Sequence, residues 1–133
     1  HIKNEMDDES RDAMVKYRLE RAKETIKEAD VLSENGFYNA AISRLYYACF
    51  YATMSLLLKN RIPAQNHSGV KTMLGLHFVS KGIVSKEAGK TLTQLFERRQ
   101  TGDYEDFAYC DKSEVDKYTQ LAKNFIAEIE QLI

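Results

Sequence analysis

Val15, Leu19, Ala22, Ile26, Ala29 and Leu32 follow one another at steps of three and four residues, with charged residues filling the gaps. That period puts all six on one stripe of an amphipathic helix. Gly36 ends the stripe, and Phe37-Tyr38-Asn39 opens a second apolar run after a very short turn. So short a link predicts two antiparallel neighbours. Asn60 to Gln65, with Pro63, breaks the second run. Val70, Leu74 and Phe78 predict a short third helix that begins at Asn66 or His67 and closes near Gly82. Ser85 is a candidate N-cap for a fourth, with Ala88, Leu92, Leu95 and Phe96 on one face. Asp111 and Glu114 have capping-box spacing before a fifth stripe of Val115, Tyr118, Ala122, Phe125, Ile129 and Leu132. No strand alternation, repeat, low-complexity tract or internal linker interrupts this order. The pattern predicts an all-α protein, an antiparallel bundle of four or five helices.

The second helix is unusual. Its stretch SRLYYACFYATMSLLL, residues 43–58, has no charge between Leu45 and Leu58, yet carries Tyr46, Tyr47, Phe50 and Tyr51. A membrane-spanning helix needs roughly 20 apolar residues, so this shorter run, bounded by Arg44 and Lys59, reads as buried core. At about 100° per residue it has three faces. Ala41, Leu45, Cys49, Ala52 and Leu56 make one; Tyr46, Phe50, Thr53 and Leu57 a second; Arg44, Tyr47, Tyr51 and Ser55 a third. A helix apolar nearly all round is covered on more than one side. In so small a bundle this predicts a homodimer in which one face meets a second copy; the alternative is an internal helix of a five-helix monomer. Tyrosine suits either setting, filling space while its hydroxyl seeks a partner. Arg44, on the stripe with Tyr47 and Tyr51, is predicted to be partly buried and paired with an acidic or tyrosyl group.

The chain's 133 residues fit one helical domain over 1–133, with residues 1–8 as a flexible or tag-derived flank. Residues 1–30 are charged throughout, unlike a signal peptide. Two cysteines, Cys49 and Cys110, without a CxxC pattern, fit a reducing, cytoplasmic setting and a buried Cys49. The net charge of −1 hides an uneven distribution: residues 57–99 carry eight basic and two acidic residues, and residues 100–133 carry three basic and eight acidic. A basic middle either attracts phosphates or faces the acidic helices and water.

Few residues suggest chemistry. There is no phosphate loop, GxSxG, Glu-x-x-His pair or metal-ligand spacing, so neither a metal nor a cofactor is implied. His77 reads as packing. His67 either caps and packs the third helix or belongs to a site. Arg98-Arg99-Gln100-Thr101-Gly102-Asp103-Tyr104 joins two arginines at a helix end to Gly, Asp and Tyr in a turn. These arginines either hold a phosphate by their fork geometry or pair with Asp103 and Asp106 on the surface.

Three segments together resemble a known family. Ser43-Arg44-Leu45-Tyr46-Tyr47-Ala48-Cys49-Phe50 is similar to the SRxYYAxF signature of the HEPN superfamily (higher eukaryotes and prokaryotes nucleotide-binding). His67-Ser68-Gly69-Val70 resembles its HxGV segment. Arg99-Gln100-Thr101-Gly102-Asp103-Tyr104 resembles its RxxADY segment, with Gly102 in place of Ala. The resemblance spans roughly residues 13–130 in the family's order. It implies a dimerising helical bundle, a prokaryotic chain and RNA-linked biology. Many HEPN proteins are metal-independent endoribonucleases that pair an Arg with a His four to six residues later, across a dimer cleft. Arg99 matches that Arg, but the position five residues on holds Tyr104. Tyrosine, with a reference pKa of about 10, is a poor base near neutral pH. The resemblance also implies pairing with a minimal nucleotidyltransferase in a toxin–antitoxin-like system, and Tyr104 as an acceptor of nucleotidyl transfer. Three readings follow: an RNA- or nucleotide-binding dimer with such a partner; an active ribonuclease in which Tyr104 or His67 replaces the missing His; and a protein-binding helical adaptor. The expected site is Arg99 and Tyr104 facing one groove, with Arg98, Asp103 and His67 nearby and Arg44, Tyr47 and Tyr51 at the dimer or as buried polar groups.

Overall fold

The computed structural model describes residues 7–104 and 110–133, and residues 101–104 by their backbone alone. The helices are α1 (Asp8–Glu34), α2 (Tyr38–Lys59), α3 (His67–Leu74), α4 (Lys86–Tyr104) and α5 (Lys112–Glu130), and a π-helical turn, Gly75–Val79, prolongs α3. The described residues contain no strand. The all-α bundle expected from the periodicity is the fold.

Local chemistry sets the helix ends. Asp7, Asn66 and Asp111 each accept the backbone N–H three residues on, at 2.7, 2.7 and 2.9 Å. Each satisfies one of the orphan donors of a first helical turn. Ser85 caps α4 through Oγ, which accepts the Ala88 N–H, and its own N–H and O–H donate to the Glu128 carboxylate on α5. Three helix exits share one hydrogen-bond pattern. At the end of α1, Gly36 N–H donates to Ser33 O and Phe37 N–H to Leu32 O. The same pair of bonds recurs at Gly82 and Ile83 after the π turn, and at Arg61 and Ile62 after α2. This Schellman geometry needs a left-handed residue, and φ is +80° at Gly36, +73° at Gly82 and +59° at Arg61. Arginine there carries a strain that glycine avoids.

The predicted stripe on α1 is the buried one: Val15, Leu19, Ala22, Ile26 and Ala29 face the core, with Leu32 at its edge. It packs along α2, which also touches α3, α4 and α5 and is the central helix. Ala41, Leu45, Cys49, Ala52 and Leu56 are wholly buried, their small side chains letting the neighbours lie close. Fully burying a leucine such as Leu45 contributes about 1.5–3 kcal/mol. Ser55, buried between the two long helices, donates to the Val15 carbonyl at 2.7 Å. α2 has the length and composition of a membrane span, yet most of it is the core of this bundle. One chain therefore covers most of α2. Tyr47, Phe50, Tyr51 and Met54 are left half-covered.

Two features differ from the expectation. The third helix is not uniformly α: Ser80 N–H bonds to the Gly75 carbonyl, one residue wider than an α turn. And the turn expected at Gly102 is helix, since α4 runs on to Tyr104. A single helical glycine costs only about 1 kcal/mol, which the rest of α4 offsets. Of the expected flank, Asp7 caps α1 and Asp8 pairs with Arg61 at 2.6 Å, while residues 1–6 lie outside the described residues.

Candidate nucleotide or RNA site

Successive turns of α2 present Tyr46 with Phe50, and Tyr47 with Tyr51, because residues four apart share a face. The ring centroids lie 5.9 and 6.0 Å apart in the two pairs. The link after α2 returns the chain so that His67, first residue of α3, meets this surface. Its ring stacks on Phe50 at 4.3 Å and 22°, and its Nδ1 lies 2.7 Å from the Tyr46 hydroxyl. Asn66, by capping α3, fixes where that ring begins.

Arg99 reaches the same cluster from α4. Its guanidinium carbon lies 5.1 Å from the Tyr47 centroid and 5.7 Å from that of Tyr46. Cation–π contacts of this kind are worth about 0.5–1 kcal/mol at exposed sites and more when desolvated. Arg99 and His67 thus border one ring, that of Tyr46. Phe96, a turn before Arg99 on α4, also touches Tyr46 at 5.7 Å and carries Lys71 Nζ over its own face at 5.2 Å.

The electrostatics are definite in direction. Burial pushes the Tyr46 phenol well above its ordinary value, against the opposing pull of Arg99. Partial burial, then the Arg99 charge, hold the His67 imidazole below its ordinary value. Near pH 7 the phenol is therefore protonated and the imidazole neutral. When Tyr46 donates to Nδ1, the ring proton sits on Nε2. The arrangement offers a permanent cation, flat aromatic faces and a neutral imidazole that can take a proton.

A second cluster flanks the first. Arg44 donates to Glu28 Oε1 at 3.3 Å and lies over Tyr47 at 4.9 Å. Arg21 donates to Glu28 Oε2 at 2.9 Å and lies over Tyr51 at 5.5 Å. Partial burial works against the Glu28 carboxylate, but the two guanidiniums outweigh it and hold its pKa below the usual range. Arg44 is half-buried and paired with both an acid and a tyrosine, as its position on the stripe predicted.

Of the expected site residues, the fold brings together Arg99, His67, Tyr47, Tyr51 and Arg44. Arg98 is engaged elsewhere, by Glu114 on α5 at 2.8 Å. The side chains of Asp103 and Tyr104, and Asp106, lie outside the described residues. Tyr46, Phe50 and Glu28 were not picked out as site residues. The signature stretch pointed at the first two, but only the fold joins them to His67. Glu28 had no signal beyond its place on the polar side of α1. His77 is half-buried and Cys49 fully buried, as expected. No group of three or more potential metal ligands is gathered among the described residues.

The family model of the HEPN domain matches residues 15–132. A protein of Thermotoga maritima named "UPF0332 protein" is 35% identical over 123 residues, covering 92% of this chain and 93% of its own. Two proteins of Methanocaldococcus jannaschii, both provisionally named as toxins, are 36% identical over 86 residues and 31% over 98. The first match covers 65% of this chain and 64% of that protein, the second 74% and 67%. The five-helix bundle, the three motif segments and these matches have one explanation: the chain belongs to the HEPN domain family.

Proposed function

We propose that this chain is an RNA- or nucleotide-binding HEPN homodimer of the cytoplasm, acting in a toxin–antitoxin-like pair with a minimal nucleotidyltransferase. The observation that carries the reading is Arg99 held over Tyr46 and Tyr47, with His67 against the same two rings. A guanidinium suits a phosphate, as a permanent cation with several donors. The half-exposed ring of Tyr47 beside it suits an unstacked base, a pairing that single-strand binders use. The half-covered strip of Tyr47, Phe50, Tyr51 and Met54 leaves a face on which a second copy can seat. The provisional toxin names of two relatives agree with the toxin side of such a pair. Tyr104, near the end of α4, is the acceptor we assign to nucleotidyl transfer by the partner.

A second reading, a metal-independent ribonuclease, has one observation in its favour. His67 is neutral near pH 7 and next to the charge of Arg99, and in the tautomer whose Nδ1–H donates to the Tyr46 oxygen its Nε2 is open to act as a general base beside a phosphate clamp.

Anisotropy titrations with short single-stranded RNA and with ATP, for wild type and Arg99→Ala, test the proposal. Salt-sensitive binding that weakens in the variant supports it. Fast cleavage in EDTA, abolished by Arg99→Ala, shifts the conclusion to the ribonuclease. Equal failure of both proteins to bind either ligand refutes the proposal.

A further inference from the structure

A groove of about 620 Å³ runs between α4 and the α3–π-turn segment. Its lining includes neither Arg99 nor His67, so it is distinct from the site above. Leu74, Val79 and Leu92 give it an apolar floor. Two glycines line it. A Cβ on Gly75 would point into open space, and one on Gly89 would press on Val79 at 3.3 Å. The π turn that contains Gly75 widens the helix where the groove passes, and such turns recur at functional positions. The rim is basic: Lys71 stands on one wall, with Lys86 and Lys90, one helical turn apart, on the other. A single acid, Glu97, marks one end.

We infer that this groove docks an acidic amphipathic helix of a partner protein. Charge complementarity selects the occupant. Apolar side chains at i, i+3 and i+7 would lie on the Leu74–Val79–Leu92 floor, the usual anchor spacing of a helix in a groove. Acidic residues one turn apart on its flank would meet Lys86 and Lys90, and a further acid on the other flank would meet Lys71. A nucleotide is the weaker match. None of the described lining residues is aromatic, and Lys71 on α3 faces the groove from a different wall than Lys86 and Lys90 on α4. The groove also adjoins the site already described, because Lys71 lies over Phe96 and Phe96 touches Tyr46. A docked helix that drew Lys71 toward an acid would loosen that contact.

The probe is a labelled synthetic helix of about three turns, with leucines at the anchor spacing and glutamates on both flanks. A second peptide keeps the leucines but carries lysines in place of the glutamates. Binding is read by anisotropy and mapped by amide chemical shifts on the whole chain. We expect the acidic peptide to bind with shifts centred on Gly75 and Gly89, and the basic peptide to bind far more weakly. The double variant Lys86→Glu, Lys90→Glu alters two exposed positions and keeps the fold. It should weaken the acidic peptide by roughly tenfold or more and restore binding of the basic one. Gly75→Leu, which fills the groove where a Cβ meets nothing, should block both. Equal affinity for the two peptides, shifts centred away from the groove, or no binding of the acidic peptide would each overturn the inference. So would ATP or RNA displacing the acidic peptide while shifting Gly75 and Gly89 itself.

Discussion

The hydroxyl of Tyr46 lies 2.7 Å from Nδ1 of His67, though the two residues are 21 apart in sequence. This contact fixes the orientation of the imidazole, and Arg99 reaches the ring of the same phenol. A phenol held protonated, an imidazole held neutral and a guanidinium held over the ring make one electrostatic unit.

Titration of His67 should report that unit. Its folded pKa lies below the ordinary value of 6.5, through burial first and Arg99 second. The unfolded chain therefore takes up this proton before the folded chain does. Stability from this group is full above about pH 6.5 and is lost as pH falls through the folded pKa. Urea midpoints of the wild type should drop between pH 7.5 and 5.5, and His67→Gln should lose the part of that drop due to this group. In Arg99→Ala the His67 pKa should rise; an unchanged value would separate the two residues.

Neighbouring arginines should differ in what they do for RNA affinity. Arg98 pairs with Glu114, with 26% and 30% of the two side chains exposed. Arg98→Ala should cost about 1 kcal/mol of stability, near the upper end for partly exposed pairs, and leave RNA affinity nearly intact. Arg99→Ala should lose most RNA affinity and also cost about 0.5–1 kcal/mol or more through its contacts with Tyr46 and Tyr47, so the binding titrations distinguish the two.

The fold was legible where periodicity and caps agree. Asp111 and Ser85 announced their helices, and the α1 stripe emerged with every member buried or at the core's edge. Two features were hidden because they depend on tolerance. Gly102 looks like a helix stop, but α4 absorbs it. Arg61 occupies a left-handed position that sequence would reserve for glycine. The site was half legible: its motif segments named Arg99 and His67, whereas the contact through Tyr46 needs α2, α3 and α4 to be packed first. The all-round apolar character of α2 also has a simpler source than a second chain, since most of that surface is covered internally.

Arg61→Gly should stabilise the protein. It relieves a left-handed residue worth roughly 1 kcal/mol and gives up only an exposed pair with Asp8. A thermal midpoint raised by a few degrees would bear this out, given roughly 2–8 °C per kcal/mol across domains of about 60 to 250 residues. A lowered midpoint would assign Arg61 a larger role at the end of α2.

Arg44→Ala should cost about 1 kcal/mol or less by removing a screened ion pair and a cation–π contact. If the strip of Tyr47 and Tyr51 is the homodimer face, the variant should also weaken self-association. Sedimentation equilibrium across a wide concentration range should show wild type at twice the chain mass and the variant shifting toward one chain. Wild type at one chain mass throughout would remove the dimer from the account.

The most direct test is the ring resonance of His67, followed by NMR as short single-stranded RNA or ATP is added. The chain has only three histidines, and a His67→Gln sample assigns the signal. The account predicts that the His67 ring signal moves and saturates with the same affinity as binding measured by anisotropy, and that Arg99→Ala abolishes the movement. Saturable binding that leaves the His67 signal in place would contradict it.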